Sequence, residues 1–368
     1  MGDDALAVGD VTPSRGSIVL TGGGTAGHVT PNLALLSALR ARGFESVYVG
    51  SVSGIERRLA EEAGLTYHAV QTGKLRRYAS LENFLDPLRI LVGVVQATLL
   101  LARLRPSVVF SKGGFVGVPV VVAAWLNRIP VVVHESDLTP GLANRLSFPF
   151  AKRICLSFRE TEQRLSGRDV VYTGTPVRQS LTAGDRGKGQ REFGLDPARR
   201  TILVFGGSQG AQAINTQVRA ALPSLPEDLQ LLHVCGAGNL ESDLEGREGY
   251  RQYEYLDADF GDAFACADVV VSRAGANSLA ELIALRKPAV VIPLPTAASR
   301  GDQIDNARLF ADKGYGLVLA QADLTPESLL ESVQAALEGA ADFAEAMDRD
   351  DSHDPIERIA DLLVEQAS

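Results

Sequence analysis

The sequence predicts an α/β protein of two Rossmann-like domains, each a parallel sheet flanked by helices, facing each other across a central cleft. Three observations predict it. Short apolar, β-branched runs alternate with helix-length segments along the 368 residues, which is the rhythm of β-α-β units. That rhythm breaks in the polar, Gly- and Arg-rich stretch 182–200 and then restarts. Each half opens on a strand that runs into glycines and a helix: "IVLTGGGTAGH" in one, "ILVFGGSQGAQ" in the other.

Taken in order, the first half places strands at 17–21, 46–50, 107–111, 130–134 and 153–158, with helices between them. The second places them at 201–206, 229–236, 268–275 and 288–294. The apolar segment 90–102, interrupted by Gln96 and flanked by Arg89 and Arg103, falls short of the about 18–20 residues of a spanning helix and reads as a packed one. At the C-terminus Asp354 caps, Pro355 fills the first turn, and apolar residues follow at helical spacing. The expected organisation is a disordered tail over 1–16, a first domain over 17–178, a linker over 179–200, a second domain over 201–345 and a closing helical segment over 346–368.

Composition excludes several classes. A net charge of -9 argues against wholesale nucleic-acid binding, which needs a cationic face. Cys155, Cys235 and Cys266 are too few and too scattered for a disulfide framework or a metal site and read as reduced thiols. The opening "MGDDALAVGDVTPSRG" is acidic, with no basic and apolar run of a secretory signal.

Gly22, Gly24 and Gly27 have G-x-G-x-x-G spacing after a strand, a turn that lets backbone N–H groups approach a phosphate and that also serves packing alone. A dinucleotide site requires an acid about 20 residues further on, at the end of the second strand. Gly50 and Ser51 stand there instead, so the NAD pattern fails. His28 and Pro31 follow the last glycine; an imidazole beside an anion site suits chemistry, and also suits a cap of its own loop. In the second half, "SRAGANSLAEL" carries Glu281 into a helix starting near Ala276. A carboxylate there suits the 2'- and 3'-hydroxyls of a ribose, or a solvated helix face. Gln303 and Asn306, three apart at a helix start, put two amides on one face for sugar hydroxyls.

Seven stretches, "GGGTAGHVTPNLAL", "SKGGFVGVPV", "HESDLTPGLANR", "TGTPVR", "FGGSQGAQAIN", "SRAGANSLAEL" and "SRGDQIDNA", occur in the order of one family. From Ser17 to about Leu319 the chain resembles the MurG family of peripheral glycosyltransferases, which move N-acetylglucosamine from UDP-GlcNAc onto lipid I to make lipid II for peptidoglycan. The resemblance implies a GT-B fold, an inverting mechanism and a donor site in the C-terminal half. It implies that Glu281 holds the ribose, that Gln303 and Asn306 contact the GlcNAc, that Ser208 and Gln209 meet the diphosphate, that Arg178 lies near the nucleotide, and that Tyr255 and Leu256 receive the uracil. On the acceptor side it implies Thr25, Ala26, Gly27 and His28 around the lipid diphosphate, with His134, Glu135 and Asn144 in an acceptor motif. The chain departs from the common pattern at Ala26, at Phe115, and at Ser136-Asp137, where the family often has a glycine, an aromatic hydroxyl and Gln-Asn.

Inversion requires a base for the muramyl 4-hydroxyl and stabilisation of the departing diphosphate. His28 is the favoured base, with Glu135 and Asp137 as alternatives; backbone N–H groups of the second glycine loop serve the diphosphate, and no cofactor or metal enters the scheme. A lipid acceptor calls for membrane docking. Lys74, Arg76 and Arg77 beside Phe84, Leu85 and Leu88 supply a basic rim next to apolar groups for an anionic membrane surface. The expected location is the cytoplasmic face of the cell membrane, peripherally bound, with wall-synthesis and division proteins as partners and no nucleic acid. The rival readings are another GT-B enzyme, such as a UDP-GlcNAc 2-epimerase or a diacylglycerol glycosyltransferase, and a non-catalytic nucleotide-sugar-binding protein.

Overall fold

The computed structural model describes residues 15–73, 82–207, 210–296, 299–350 and 354–368, with backbone alone at 82–87. The tail expected over 1–16 therefore lies outside the described residues, except for Arg15 and Gly16.

Two parallel sheets form the frame. The first contains β1 (Gly16–Thr21), β2 (Phe44–Ser51), β3 (Thr66–Val70), β4 (Val108–Ser111), β5 (Val131–Glu135), β6 (Arg153–Leu156) and β7 (Val170–Tyr172), in the order β3-β2-β1-β4-β5-β6-β7. The second contains β8 (Arg200–Phe205), β9 (Leu229–Val234), β10 (Tyr250–Tyr253), β11 (Val269–Ser272), β12 (Ala289–Val291) and β13 (Leu317–Val318), in the order β10-β9-β8-β11-β12-β13. Each order is doubly wound and reverses direction beside its first strand. Ligand sites in such sheets form at the carboxyl ends of the strands flanking that reversal. Here those ends carry the glycines after β1 and β4, and those after β8 and β11.

Packing divides the chain into two compact units, Met1–Val133 with Leu146–Arg153 and Glu357–Ser368, and His134–Arg145 with Ile154–Ile356. In the first, Ile18, Val19 and Leu20 of β1 are fully buried. The C-terminal helix Pro355–Ala367 packs here: Arg42 pairs with Glu357 at 2.7 Å and Asp361 at 2.6 Å, and Arg153 with Glu365 at 3.3 Å. These exposed pairs add little energy; the buried Ile359, Ala360 and Leu363 supply most of the hold. In the second unit, alternate residues of β8 feed opposite faces, as the period of two requires. Leu203 and Phe205 join a core with Phe264, Leu279 and Phe310, whereas Ile202 and Val204 join one with Ile214, Val218 and Leu329.

The segment expected as a packed helix lies inside a longer one, Glu82–Leu104. Ala97 and Leu101 are buried, while Leu88, Leu91, Val92, Val95 and Leu99 are exposed. Among the described residues no helix is long and apolar enough to cross a membrane.

Candidate functional site

In the first unit β1 ends at Thr21 and the chain turns through Gly22–Thr25 into a short 3-10 turn, Ala26–His28. Gly24 and Thr25 are exposed, and Ala26, Gly27 and His28 are partly so. The glycines after β4 press against this loop. At Gly114 (φ +77) a Cβ would run into the Gly23 carbonyl and come within 3.1 Å of the His28 ring, so only glycine lets the two loops meet. The helix after the loop is broken: Thr30–Ala34 and Leu36–Ala41 are separate pieces.

A buried amide braces the loop from behind. Asn32 Nδ2 donates to the Thr21 carbonyl at 3.0 Å and to Tyr48 Oη at 3.2 Å, and Tyr48 Oη donates to the Gly22 carbonyl at 2.8 Å. The second unit repeats the device. After β8 the chain passes Gly206, Gly207 and Gly210 into helix Gln212–Ala221, where Asn215 donates to the Cys235 carbonyl at 2.8 Å and accepts from His233 Nε2 at 3.0 Å. His233 Nδ1 accepts from Tyr250 Oη at 2.9 Å. Burial, aided by Arg219, pushes the His233 pKa down to about 3, so this imidazole is a neutral strut. Both asparagines stand five residues after the last glycine of their loops, in "GHVTPN" and "GAQAIN". That shared spacing is the signal by which sequence reasoning could have found them. Ser208 and Gln209, expected at the donor diphosphate, lie outside the described residues.

The expected donor residues converge in the second unit. Glu281 lies in helix Ala276–Ala284, capped by Gly275. Burial raises its carboxyl to about 7, against an opposing pull from Arg178, and among the described residues it has no hydrogen-bond partner. Arg178 lies 4.0 Å from Asp257, beside exposed Tyr255 and core-packed Leu256. Its Nε is buried without a hydrogen bond. Gln303, in helix Asp302–Asp312, accepts from Leu294 N at 3.1 Å and reaches toward Gly275, its Nε2 4.0 Å from where a Cβ would stand. A carboxyl and a guanidinium, each with unused hydrogen-bonding capacity, and an amide beside a helix start make a polyol- and anion-ready cluster.

Asn306 behaves differently. It is fully buried, its Oδ1 accepts from Leu138 N at 3.0 Å and its Nδ2 donates to Asp137 Oδ1 at 3.1 Å. Both ends of the amide are thus spent on the segment after β5. Thr139 adds a bond to Asp305 at 2.9 Å. The residues expected on the acceptor side, 134–145, accordingly pack with the unit that carries the donor residues.

Glu135 is buried, and its carboxylate accepts from Asp137 N at 3.0 Å, Gly141 N at 3.2 Å and Asn144 Nδ2 at 2.9 Å. Burial first, then Asp137, lifts its pKa to about 7 despite these bonds. Asn144 also donates to the His134 carbonyl at 3.1 Å, and His134 Nε2 donates to the Gly174 carbonyl at 2.8 Å. Glu135, His134 and Asn144 therefore fold the loop back on itself. Asp257-Ala258-Asp259 sets two aspartates two apart, yet Arg178 faces the first and Lys188, 3.6 Å away, the second. Glu192, Asp259 and Asp262 lie close enough to share an ion, but the Lys188 ammonium, 2.7 Å from Asp262, sits among them.

Of the expected membrane residues, Leu88 is exposed. Lys74, Arg76 and Arg77 lie outside the described residues, as do the side chains of Phe84 and Leu85.

Residues 18–156 match the glycosyltransferase family 28 N-terminal domain, and residues 201–363 match the glycosyltransferase family 28 C-terminal domain. The chain is 52% identical over 319 residues, 86% of its length and 88% of the relative's, to the UDP-N-acetylglucosamine–N-acetylmuramyl-(pentapeptide) pyrophosphoryl-undecaprenol N-acetylglucosamine transferase of Legionella pneumophila (strain Paris). It is 48% identical to the protein of the same description from Lachnoclostridium phytofermentans, covering 95% of this chain and 98% of that one. Among solved structures it resembles Acinetobacter baumannii MurG with a TM-score of 0.74 at 25% identity, covering 95% of this chain and all of that one.

Proposed function

The chain belongs to glycosyltransferase family 28 and, within it, to the MurG enzymes, and from that membership we propose that it transfers N-acetylglucosamine from UDP-GlcNAc to lipid I. The product is lipid II, an intermediate of peptidoglycan synthesis, with UDP released. The observation that carries the reading within the fold is the half-buried Glu281 carboxyl, raised to about 7 by desolvation against the pull of Arg178, whose own Nε is buried without a hydrogen bond. Two vicinal ribose hydroxyls donating to that carboxylate would satisfy it, and the guanidinium would take the nucleotide's anionic side. The Tyr255 ring covers the base beside Leu256, Gln303 meets the sugar, and the second glycine loop, with Ser208 and Gln209, takes the diphosphate. Asn306 acts by holding Asp137 and Leu138, which aligns the helix that carries Gln303.

Transfer is one in-line displacement. The muramyl 4-hydroxyl loses its proton to a base and attacks the anomeric carbon as the bond to the UDP oxygen breaks, which inverts that carbon. His28 is the base. It lies partly exposed in the loop that takes the acceptor diphosphate with Thr25, Ala26 and Gly27, and imidazole titrates near neutral pH. The rival carboxylates support this choice: Glu135 is saturated by three donors, and Asp137 accepts from Asn306 and lies 3.8 Å from Arg300. What sets these two aside is placement, since the Glu135 oxygens are buried and taken up by donors of their own loop and Asp137 is held by Asn306 and Arg300.

The exposed stripe Leu88, Leu91, Val92, Val95 and Leu99, with Trp125 exposed in the same unit, supports docking of that unit on an anionic bilayer, the basic residues Lys74, Arg76 and Arg77 adding attraction. The enzyme then works peripherally on the cytoplasmic face, where wall-synthesis and division proteins are its natural neighbours. Incubation with UDP-GlcNAc and a lipid I analogue tests the whole. A β-1,4-linked disaccharide lipid plus UDP is expected, with turnover lost in His28→Ala at unchanged UDP-GlcNAc affinity. Hydrolysis or epimerisation of UDP-GlcNAc without the disaccharide would overturn the reading.

A further inference from the structure

Glu56 stands in the first turn of helix Ile55–Glu62 and is fully buried. Its Oε2 accepts from Gly24 N at 3.2 Å, and its Oε1 accepts from Ser51 N at 3.1 Å and, in a short bond, from Ser51 Oγ. Tyr67 Oη in turn donates to the Ser51 carbonyl at 2.5 Å, pinning the end of β2 beneath the carboxylate. A buried charge is tolerated only when its lone pairs are taken up, and all three donors here belong to the loop after β1 or to the end of β2. The surrounding glycines make the room: a Cβ at Gly23 would stand 2.6 Å from the Glu56 carboxyl carbon, and one at Gly50 would stand 2.9 Å from its Cγ. On the other side the loop is open, with no atom within 4 Å of where a Gly24 Cβ would point.

We propose that Glu56 is the positioning residue of the first glycine loop: by drawing the Gly24 N–H inward it fixes the exposed turn Gly24–Thr25 in the shape that receives the acceptor's diphosphate. The same carboxylate fills the end of β2, where a dinucleotide-binding fold keeps an acid for a ribose, and turns that acid's hydrogen bonding inward. The inference rests on the reading of lipid I as acceptor. It accounts for an otherwise costly choice, a negative charge buried under a loop meant for anions, because no neutral side chain of that length accepts from three donors at once.

The test is steady-state kinetics of Glu56→Gln with UDP-GlcNAc and a short-chain lipid I analogue. A glutamine oxygen serves Gly24 or Ser51 but leaves one N–H facing another N–H. The acceptor KM is expected to rise about tenfold or more, with the UDP-GlcNAc KM unchanged. A residue that merely stabilised the fold would shift neither KM selectively. An unchanged acceptor KM, or both KM values rising together, overturns the inference. Where Glu56→Gln no longer binds UDP-GlcNAc, Ser51→Ala carries the test: it keeps the charge, removes one donor, and is expected to raise the acceptor KM alone by several-fold. Failure of the wild type to glycosylate the analogue overturns the acceptor reading and this inference together, whereas wild-type product with a normal acceptor KM in the variants overturns the inference alone.

Discussion

Glu281→Gln separates the two consequences of placing a carboxylate where, among the described residues, no donor bonds to it. Burial holds that carboxyl at about 7 instead of 4.5; at about 1.4 kcal/mol per pH unit, ionising it in the folded protein costs at most about 3.5 kcal/mol. The folded pKa is the higher one, so the stabilising contribution of the protonated form is complete below about pH 4.5 and is lost as pH rises through 7. Glutamine removes that loss, and the variant should melt higher than wild type at pH 8 and about level with it at pH 5. Donor binding should move the other way. A carboxylate accepts from both ribose hydroxyls and an amide oxygen serves one, so about 1.5–3 kcal/mol disappears, a weakening of roughly tenfold to a hundredfold. Proton competition adds a further mark: wild-type affinity for UDP-GlcNAc should fall up to about tenfold per pH unit below 7, and the variant's should stay flat. Titration calorimetry with UDP-GlcNAc at pH 5.5, 6.5 and 8 reads the binding, and thermal denaturation at pH 5 and 8 reads the stability. Equal affinities for the two proteins at pH 8, or an unchanged pH dependence in the variant, would refute the role.

Two further outcomes follow from neighbouring features. Val95→Glu with Leu99→Glu, on the exposed face of helix Glu82–Leu104, should cut sedimentation with phosphatidylglycerol vesicles severalfold while leaving UDP-GlcNAc affinity intact; equal sedimentation would remove that face from the docking surface. Glu135→Ala should leave Asp137 N, Gly141 N and Asn144 Nδ2 without their acceptor and destabilise the protein by about 3 kcal/mol or more, seen as a lowered denaturant midpoint, and an unchanged midpoint would mean the loop does not depend on it.

Legibility in the sequence followed burial. Each strand read from apolar runs, β1, β2, β4, β5, β6, β8, β9, β11 and β12, lies inside a sheet, where both faces are covered and the run is continuous. The four missed strands, β3, β7, β10 and β13, are the four sheet edges. "TYHAV", "VVY", "YRQY" and "LV" are short and largely half-buried, and an edge strand needs little apolar sequence. The site divided in a similar way. Glu281 and Gln303 could be singled out from the sequence because a glycine turn and a helix start mark a candidate ligand site, and Arg178 only through the resemblance of its stretch to the family's. The bonding of Glu135 within its own loop, and of Asn306 to the distant segment after β5, could not be, because a carboxylate's partners 2 to 9 residues away, or an amide's partners 168 and 169 away, leave no spacing rule. Glu56 was hidden by the same rule that excluded NAD: the acid was sought at Gly50 and Ser51, and the fold delivers it from the next helix.

The return of helix Pro355–Ala367 to the unit that holds β1 bears on how this family can be recombined. In connectivity the second unit is an insert, entered and left by the polypeptide more than once, so exchanging that unit between relatives at a single junction would strand a tail evolved for a different host. A working chimera needs matched cuts on both sides of the insert, with the terminal helix taken from the parent that supplies Arg42 and Arg153. Retained thermal stability in such two-junction hybrids, set against its loss in single-junction ones, would measure how much of the first unit's integrity is written in the last dozen or so residues.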